Sequence, residues 1–142
     1  MLEMTVSEAP ESPVLEKCEK HLVFVYGTLM RGHYNHAFLS GSRFFGEGTA
    51  HGLALYNVTS AFPGAVRRDG CRVMGEVYEV DRETLAMLDR LESNGCLYRR
   101  EKFPVVLGSG DVVKAWTYLW LRGVNEETFV SADRQPWGKC VV

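Results

Sequence analysis

Glu92 is the side chain best placed in this sequence to move protons. It closes the run from Asp81 to Glu92, in which Leu85, Leu88 and Leu91 recur at helical spacing and Asp81 is a good N-cap. On a helical wheel Glu92 is i+7 from Leu85 and i+4 from Leu88, so a carboxylate stands on the face that packs against a core. It also ends the helix, where the macrodipole presents negative charge. Burial and dipole act in the same direction and raise a carboxyl pKa toward the range useful for proton transfer. The pattern also accommodates a solvated end-of-helix residue, or one paired with Arg99 or Arg100.

A second feature is the loop after Leu22-Val23-Phe24-Val25-Tyr26. A buried strand that runs into Gly27-Thr28-Leu29 presents consecutive backbone N–H groups with little side chain in the way. Such a nest can hold a carboxylate or an oxyanion. It lacks the spacing of a nucleotide P-loop or a dinucleotide fingerprint. His33 and His36 are three apart, but no carboxylate or cysteine at ligand spacing accompanies them, so no metal site is expected. No G-x-S-x-G elbow exists. Trp116, Tyr118 and Trp120 alternate along one strand face and read as a packed or half-exposed sheet surface rather than a base-stacking platform.

The elements that must position these residues are those of a domain of α+β class. The 142 residues predict a single core, and a net charge of −2 offers no basic field for nucleic acid. The apolar runs are far too short to span a bilayer. Residues 1–20, with five Glu and two Pro, read as a mobile acidic leader without an export signal. Cys18, Cys71, Cys96 and Cys140 are widely spaced, which suits free thiols in a reducing cytoplasm.

Strands are expected over about 22–26, 43–58, 73–80, 97–107 and 112–121, with a short helix near Asn35 to Leu39 and a long one near Arg82 to Glu92. Phe62-Pro63-Gly64-Ala65 reads as a turn or irregular backbone. Gly46, Gly48 and Gly52 inside a β pattern mark bulges or bends, which predicts a small barrel or a strongly coiled sheet. The domain is expected over 21–122, with 123–142 as a closing arm.

Four segments in order resemble the γ-glutamylcyclotransferase-like family. They are Val23-Phe24-Val25-Tyr26-Gly27-Thr28-Leu29-Met30-Arg31-Gly32 with Asn35-His36, then Gly75-Glu76-Val77-Tyr78-Glu79-Val80-Asp81, Leu88-Asp89-Arg90-Leu91-Glu92 and Leu97-Tyr98-Arg99-Arg100. The match is nearest to the γ-glutamylamine type.

The resemblance implies a small mixed β-barrel with flanking helices and a substrate cavity beside the Tyr26-Gly27-Thr28-Leu29 loop. It also implies cleavage of a γ-glutamyl amide or γ-glutamyl amino acid to 5-oxoproline and a free amine, without metal or other cofactor. Glu92 would be the acid/base, the amides of Gly27, Thr28 and Leu29 would grip substrate, and Tyr26 and Tyr98 would position it. Arg31 and Arg99 read as rim or structural residues, and Glu76 stays outside the catalytic set. The competing expectation is a non-catalytic module on the same fold that binds a small ligand or peptide.

Overall fold

The computed structural model describes residues 19–139. Among these residues are six strands, β1 Lys20–Val25, β2 Arg43–Asn57, β3 Pro63–Asp81, β4 Tyr98–Leu107, β5 Val112–Trp120 and β6 Phe129–Val130, and one α-helix, α1 Arg82–Leu91. The order β3-β1-β5-β4-β2 closes on itself through β2–β3 pairing, which makes a five-stranded barrel to which β6 adds an edge. All pairings are antiparallel except β1 beside β5, where Val23 faces Trp116 and Phe24 faces Thr117. The fold is an α+β mixed barrel.

β1 is apolar throughout because both its faces are covered. Phe24 and Tyr26 enter a cluster fed by all five barrel strands, while Val23 and Val25 pack in a second cluster with Leu85 and Leu88 of α1. This is the burial that a continuous rather than alternating apolar run requires.

The glycines of β2 bend the sheet as expected. The register shifts between Phe44 and Gly46, and again between His51 and Leu53, where Gly52 sits at φ 92. Only glycine adopts that backbone conformation freely. At this second shift four residues of β3, Arg68 to Cys71, lie opposite Gly52 alone. Gly48 serves a different end, since a Cβ there would lie 2.5 Å from Val105 Cγ1 on the neighbouring strand β4.

The expected irregular stretch at Phe62 to Ala65 is a correction. β3 begins at Pro63, which pairs with Asn57, and it runs unbroken to Asp81. A proline is tolerated as the first residue of a strand because no ladder donor is needed there. Gly64 allows the new strand to pass close to Trp120, whose Cβ would be 2.8 Å from a methyl group at this position. The short helix after the first loop is a 3₁₀ turn, His36–Leu39.

Residues after β5 pack back on the barrel. Buried Gln135 donates through Nε2 to the carbonyls of Arg72 and Val130 and accepts from the Met74 N–H. Of the acidic leader expected over residues 1–20, all but Glu19 and Lys20 lies outside the described residues, as do Cys18 and Cys140, and Lys20 already opens β1. Cys71 and Cys96 are free. No helix among the described residues is long and apolar enough to cross a membrane.

Candidate active site

α1 starts where Asp81 caps it, the carboxylate accepting from the Thr84 N–H at 2.8 Å. It stops at Glu92, whose N–H still donates to the Leu88 carbonyl at 2.9 Å. Ser93 then turns to φ 51 and releases the chain toward β4. Glu92 is therefore the C-cap residue rather than part of the last helical turn. Its position is fixed from behind by Asp89. That carboxylate receives Arg100 Nε at 2.8 Å, Arg100 Nη2 at 3.1 Å and the Tyr118 hydroxyl at 2.6 Å. Arg100 is thus paired with Asp89 and stacked over Trp116, not bonded to Glu92.

Glu92 lines a cavity of about 170 Å³ together with Tyr26, Gly27, Thr28, Leu29 and Tyr98. The structure brings all six sequence-predicted residues to one cleft. Its carboxylate makes no hydrogen bond or ion pair with any other described residue, although it is only partly exposed. Burial pushes its pKa up from 4.5 to about 7. A carboxyl group held there is half ionised near neutrality and can both take and give a proton.

The opposite wall is the loop after β1. Its carbonyls are used: Gly27 O accepts from Met30 N–H, Thr28 O from Asn35 N–H and Leu29 O from the His36 ring. Outside the strand ladders, no described backbone hydrogen bond uses the N–H of Gly27, Thr28 or Leu29 as donor. Three consecutive N–H groups left without a backbone acceptor among the described residues are what an anion nest requires. Asn35 Nδ2 holds the Thr28 hydroxyl at 3.0 Å. A methyl group on Gly27 would come within 2.9 Å of the Pro63 ring, so glycine keeps this wall against the start of β3.

Glu76 closes the far end of the loop. Nearly buried, it accepts from the Arg31 N–H at 3.1 Å, from Arg31 Nε at 3.2 Å and from the Tyr78 hydroxyl at 2.9 Å. Glu76→Ala is expected to free the loop and to leave the Tyr78 hydroxyl without its acceptor. Amide hydrogen exchange should then accelerate roughly tenfold or more at Met30 and Arg31, while β4 and β5 stay protected.

Tyr26 and Tyr98, expected to position substrate, line the cleft while their hydroxyls are engaged within the fold. Tyr26 donates to the Tyr118 carbonyl at 2.5 Å and accepts from the Ala65 N–H at 3.1 Å, and Tyr98 donates to the Pro63 carbonyl at 2.7 Å. Both hydroxyls tie strands together and present ring surface to the cleft. Burial raises the pKa of each, so both remain neutral donors. His33 stacks on Trp137 and His36 bonds the Leu29 carbonyl, so the two rings have separate tasks. Exposed Arg99 lies near Glu101 rather than the cleft. Tyr34, Phe62, Leu91, Leu97 and Tyr118 also belong to the wall. Periodicity singled out Tyr118 and Leu91 only as packing residues, and no sequence signal marks Tyr34 or Phe62 as neighbours of Glu92.

Residues 23–139 match the family model described as γ-glutamyl cyclotransferase, AIG2-like. The γ-glutamylcyclotransferase family protein YtfP of Escherichia coli is 35% identical over 103 residues, which cover 72% of this chain and 85% of that protein. An AIG2-like protein from Mus musculus superposes with a TM-score of 0.69 at 29% identity, covering 76% of this chain and 82% of that one. An uncharacterised protein from Pyrococcus horikoshii superposes with a TM-score of 0.64 at 32% identity, over 79% and 86% of the two chains. The chain belongs to the γ-glutamyl cyclotransferase, AIG2-like, family.

Proposed function

We propose that this member of the γ-glutamylcyclotransferase family cleaves γ-glutamyl amides by intramolecular aminolysis, with Glu92 as the proton carrier. The observation that carries the reading is an unpaired carboxyl group, raised by burial to about 7, that lines one cleft with a loop whose amides have no backbone acceptor among the described residues.

The substrate's α-nitrogen attacks its own side-chain carbonyl carbon, a five-membered lactam forms, and the bond to the amine breaks. Two protons leave the α-nitrogen and two arrive on the departing nitrogen, so one carboxylate can carry them in turn. An ordinary glutamate is a poor base for this, because an α-ammonium beside a free carboxylate lies several units above it, and each unit costs about 1.4 kcal/mol. Raising Glu92 to about 7 removes about 3 kcal/mol of that cost. The amides of Gly27, Thr28 and Leu29 hold the glutamyl carboxylate or the oxyanion that develops at the attacked carbonyl. Nucleophile and electrophile share one molecule, so holding the folded conformer supplies the proximity term.

The test is to incubate the protein with a panel of γ-glutamyl amides and γ-glutamyl amino acids and measure 5-oxoproline by mass spectrometry. Release from at least one compound is expected. No release from any, with a ligand still raising the melting temperature, would leave a binding module. On an active substrate, kcat/KM should rise about tenfold per pH unit below a break near pH 7, because only ionised Glu92 can accept the first proton. A break near pH 4.5 would remove Glu92 from that step.

A further inference from the structure

We infer that Trp137, in the arm after β6, is a positioning residue for the loop after β1. It ties the His33 end of that loop to the β2–β3 hairpin, and so keeps Gly27, Thr28 and Leu29 in place on the cleft wall. The contacts stand on their own, and their effect on catalysis rests on the activity proposed above. From Gly27 to His36 the loop is braced by its own backbone. The Met30 N–H donates to the Gly27 carbonyl, His33 to Met30, Asn35 to Thr28 and His36 to His33, at 2.9 to 3.1 Å. A displacement at His33 is therefore passed back to Gly27 and Thr28.

Two adjacent residues at the far end of the loop reach the hairpin. Tyr34 does so directly, its hydroxyl donating to the Ala61 carbonyl at 3.0 Å. His33 does so through Trp137. The imidazole lies against the indole with ring centroids 5.1 Å apart, and Trp137 Nε1 donates to Asn57 Oδ1 at 2.6 Å. Asn57 ends β2 and pairs with Pro63, whose ring leaves Gly27 no room for a side chain. The chain of contacts thus closes on itself, from Gly27 through His33, Trp137, Asn57 and Pro63 back to Gly27. Trp137 can hold this circuit because it is itself held. Its half-buried ring packs against both apolar clusters. Two residues earlier, buried Gln135 is fixed by its bonds to Arg72, Met74 and Val130. One residue later, Gly138 has φ 81 and leaves no space for a Cβ beside the His33 ring. A loop cut from this circuit samples other arrangements when the cleft is empty. Binding then weakens by the fraction of chains that hold the competent arrangement, and saturating substrate draws the loop back, so KM rises while kcat is kept.

The test measures steady-state kinetics, on the most active γ-glutamyl compound of the panel above, and amide hydrogen exchange for Trp137→Ala, Trp137→Phe and His33→Ala. Both alanine variants should raise KM about tenfold and leave kcat within about twofold of the parent, the reverse of what loss of a proton carrier does. Trp137→Phe keeps a ring against His33 but has no N–H for Asn57, so its KM should rise only about threefold. Exchange at the His33 and Asn35 amides should accelerate roughly fivefold or more in the alanine variants, with β4 and β5 unchanged. His33→Ala leaves the packing of the indole and of Gln135 intact, so it reports on the tie even where Trp137→Ala does not fold. A KM for His33→Ala within about twofold of the parent, with or without a lower melting temperature, would overturn the positioning role. Unchanged exchange at His33 and Asn35 in that variant would overturn it too. A parent that releases no 5-oxoproline, with exchange still accelerated in the variants, would overturn the activity and support the tie.

Discussion

Glu92→Gln should lower kcat for 5-oxoproline release by about 10²–10⁴, the range that a positioned acid/base supplies, with KM changed only a few-fold. Gln keeps the size of the side chain and its place at the end of α1, but it cannot accept the ammonium proton. The same variant should be more stable than the parent at alkaline pH. The folded-state pKa of Glu92 is raised to about 7 from 4.5, so between those values the native chain binds more protons than the unfolded one. Stability from this group is complete below about pH 4.5 and falls as pH rises through 7. The penalty for burying the ionised carboxylate reaches up to about 3 kcal/mol at pH 8. Gln carries no such penalty, so thermal melts should place Glu92→Gln several degrees above the parent at pH 8, with the gap shrinking toward pH 4.5. A variant that is slower but equally stable at both pH values would mean that Glu92 is solvated in the folded protein.

Asp89→Ala should be strongly destabilising. One carboxylate satisfies both Arg100 nitrogens and the Tyr118 hydroxyl, and it joins α1 to β4 and β5 just behind Glu92. Removing it strands a guanidinium that is only 19% exposed. Partial solvent access limits the loss, and about 2–3 kcal/mol is expected. For a domain of this size that lowers the melting temperature by roughly 8–15 °C. Asp89→Asn retains an acceptor for Tyr118 and should lose about half as much. Differential scanning calorimetry on both variants separates the ion pair from the neutral bond. A shift below about 3 °C for Asp89→Ala would show that α1 is held by Leu85 and Leu88 alone.

The parts of this fold that were legible in the sequence are those decided locally. β1 reads as doubly buried because five consecutive residues, Leu22 to Tyr26, are apolar, and Gly52 reads as a bend because its strand pattern is otherwise β-forming. The wheel placed Glu92 on the core side of its helix, and the structure puts it in the wall of the cleft. The parts that were not legible depend on pairings far apart in the chain. Pro63 looks like a turn until Asn57 is known to face it across β2 and β3. Arg100 is nearer in sequence to Glu92 than to Asp89, and only the path of β4 decides that Asp89 receives it. Nothing in the local pattern links Glu76 to Arg31, 45 residues earlier, or Tyr34 to Ala61. The hydroxyls of Tyr26 and Tyr98 could not be read as strand ties before their carbonyl partners were in place.

The central claim is that the Glu92 carboxyl titrates near neutrality inside the cleft. It is tested most directly by ¹³C NMR titration of side-chain carboxyl carbons in ¹³C-glutamate-labelled protein, with the Glu92 signal assigned by its loss in Glu92→Gln. A midpoint of about 7 is the result this account requires. A midpoint near the ordinary glutamate value of about 4.3 would contradict it.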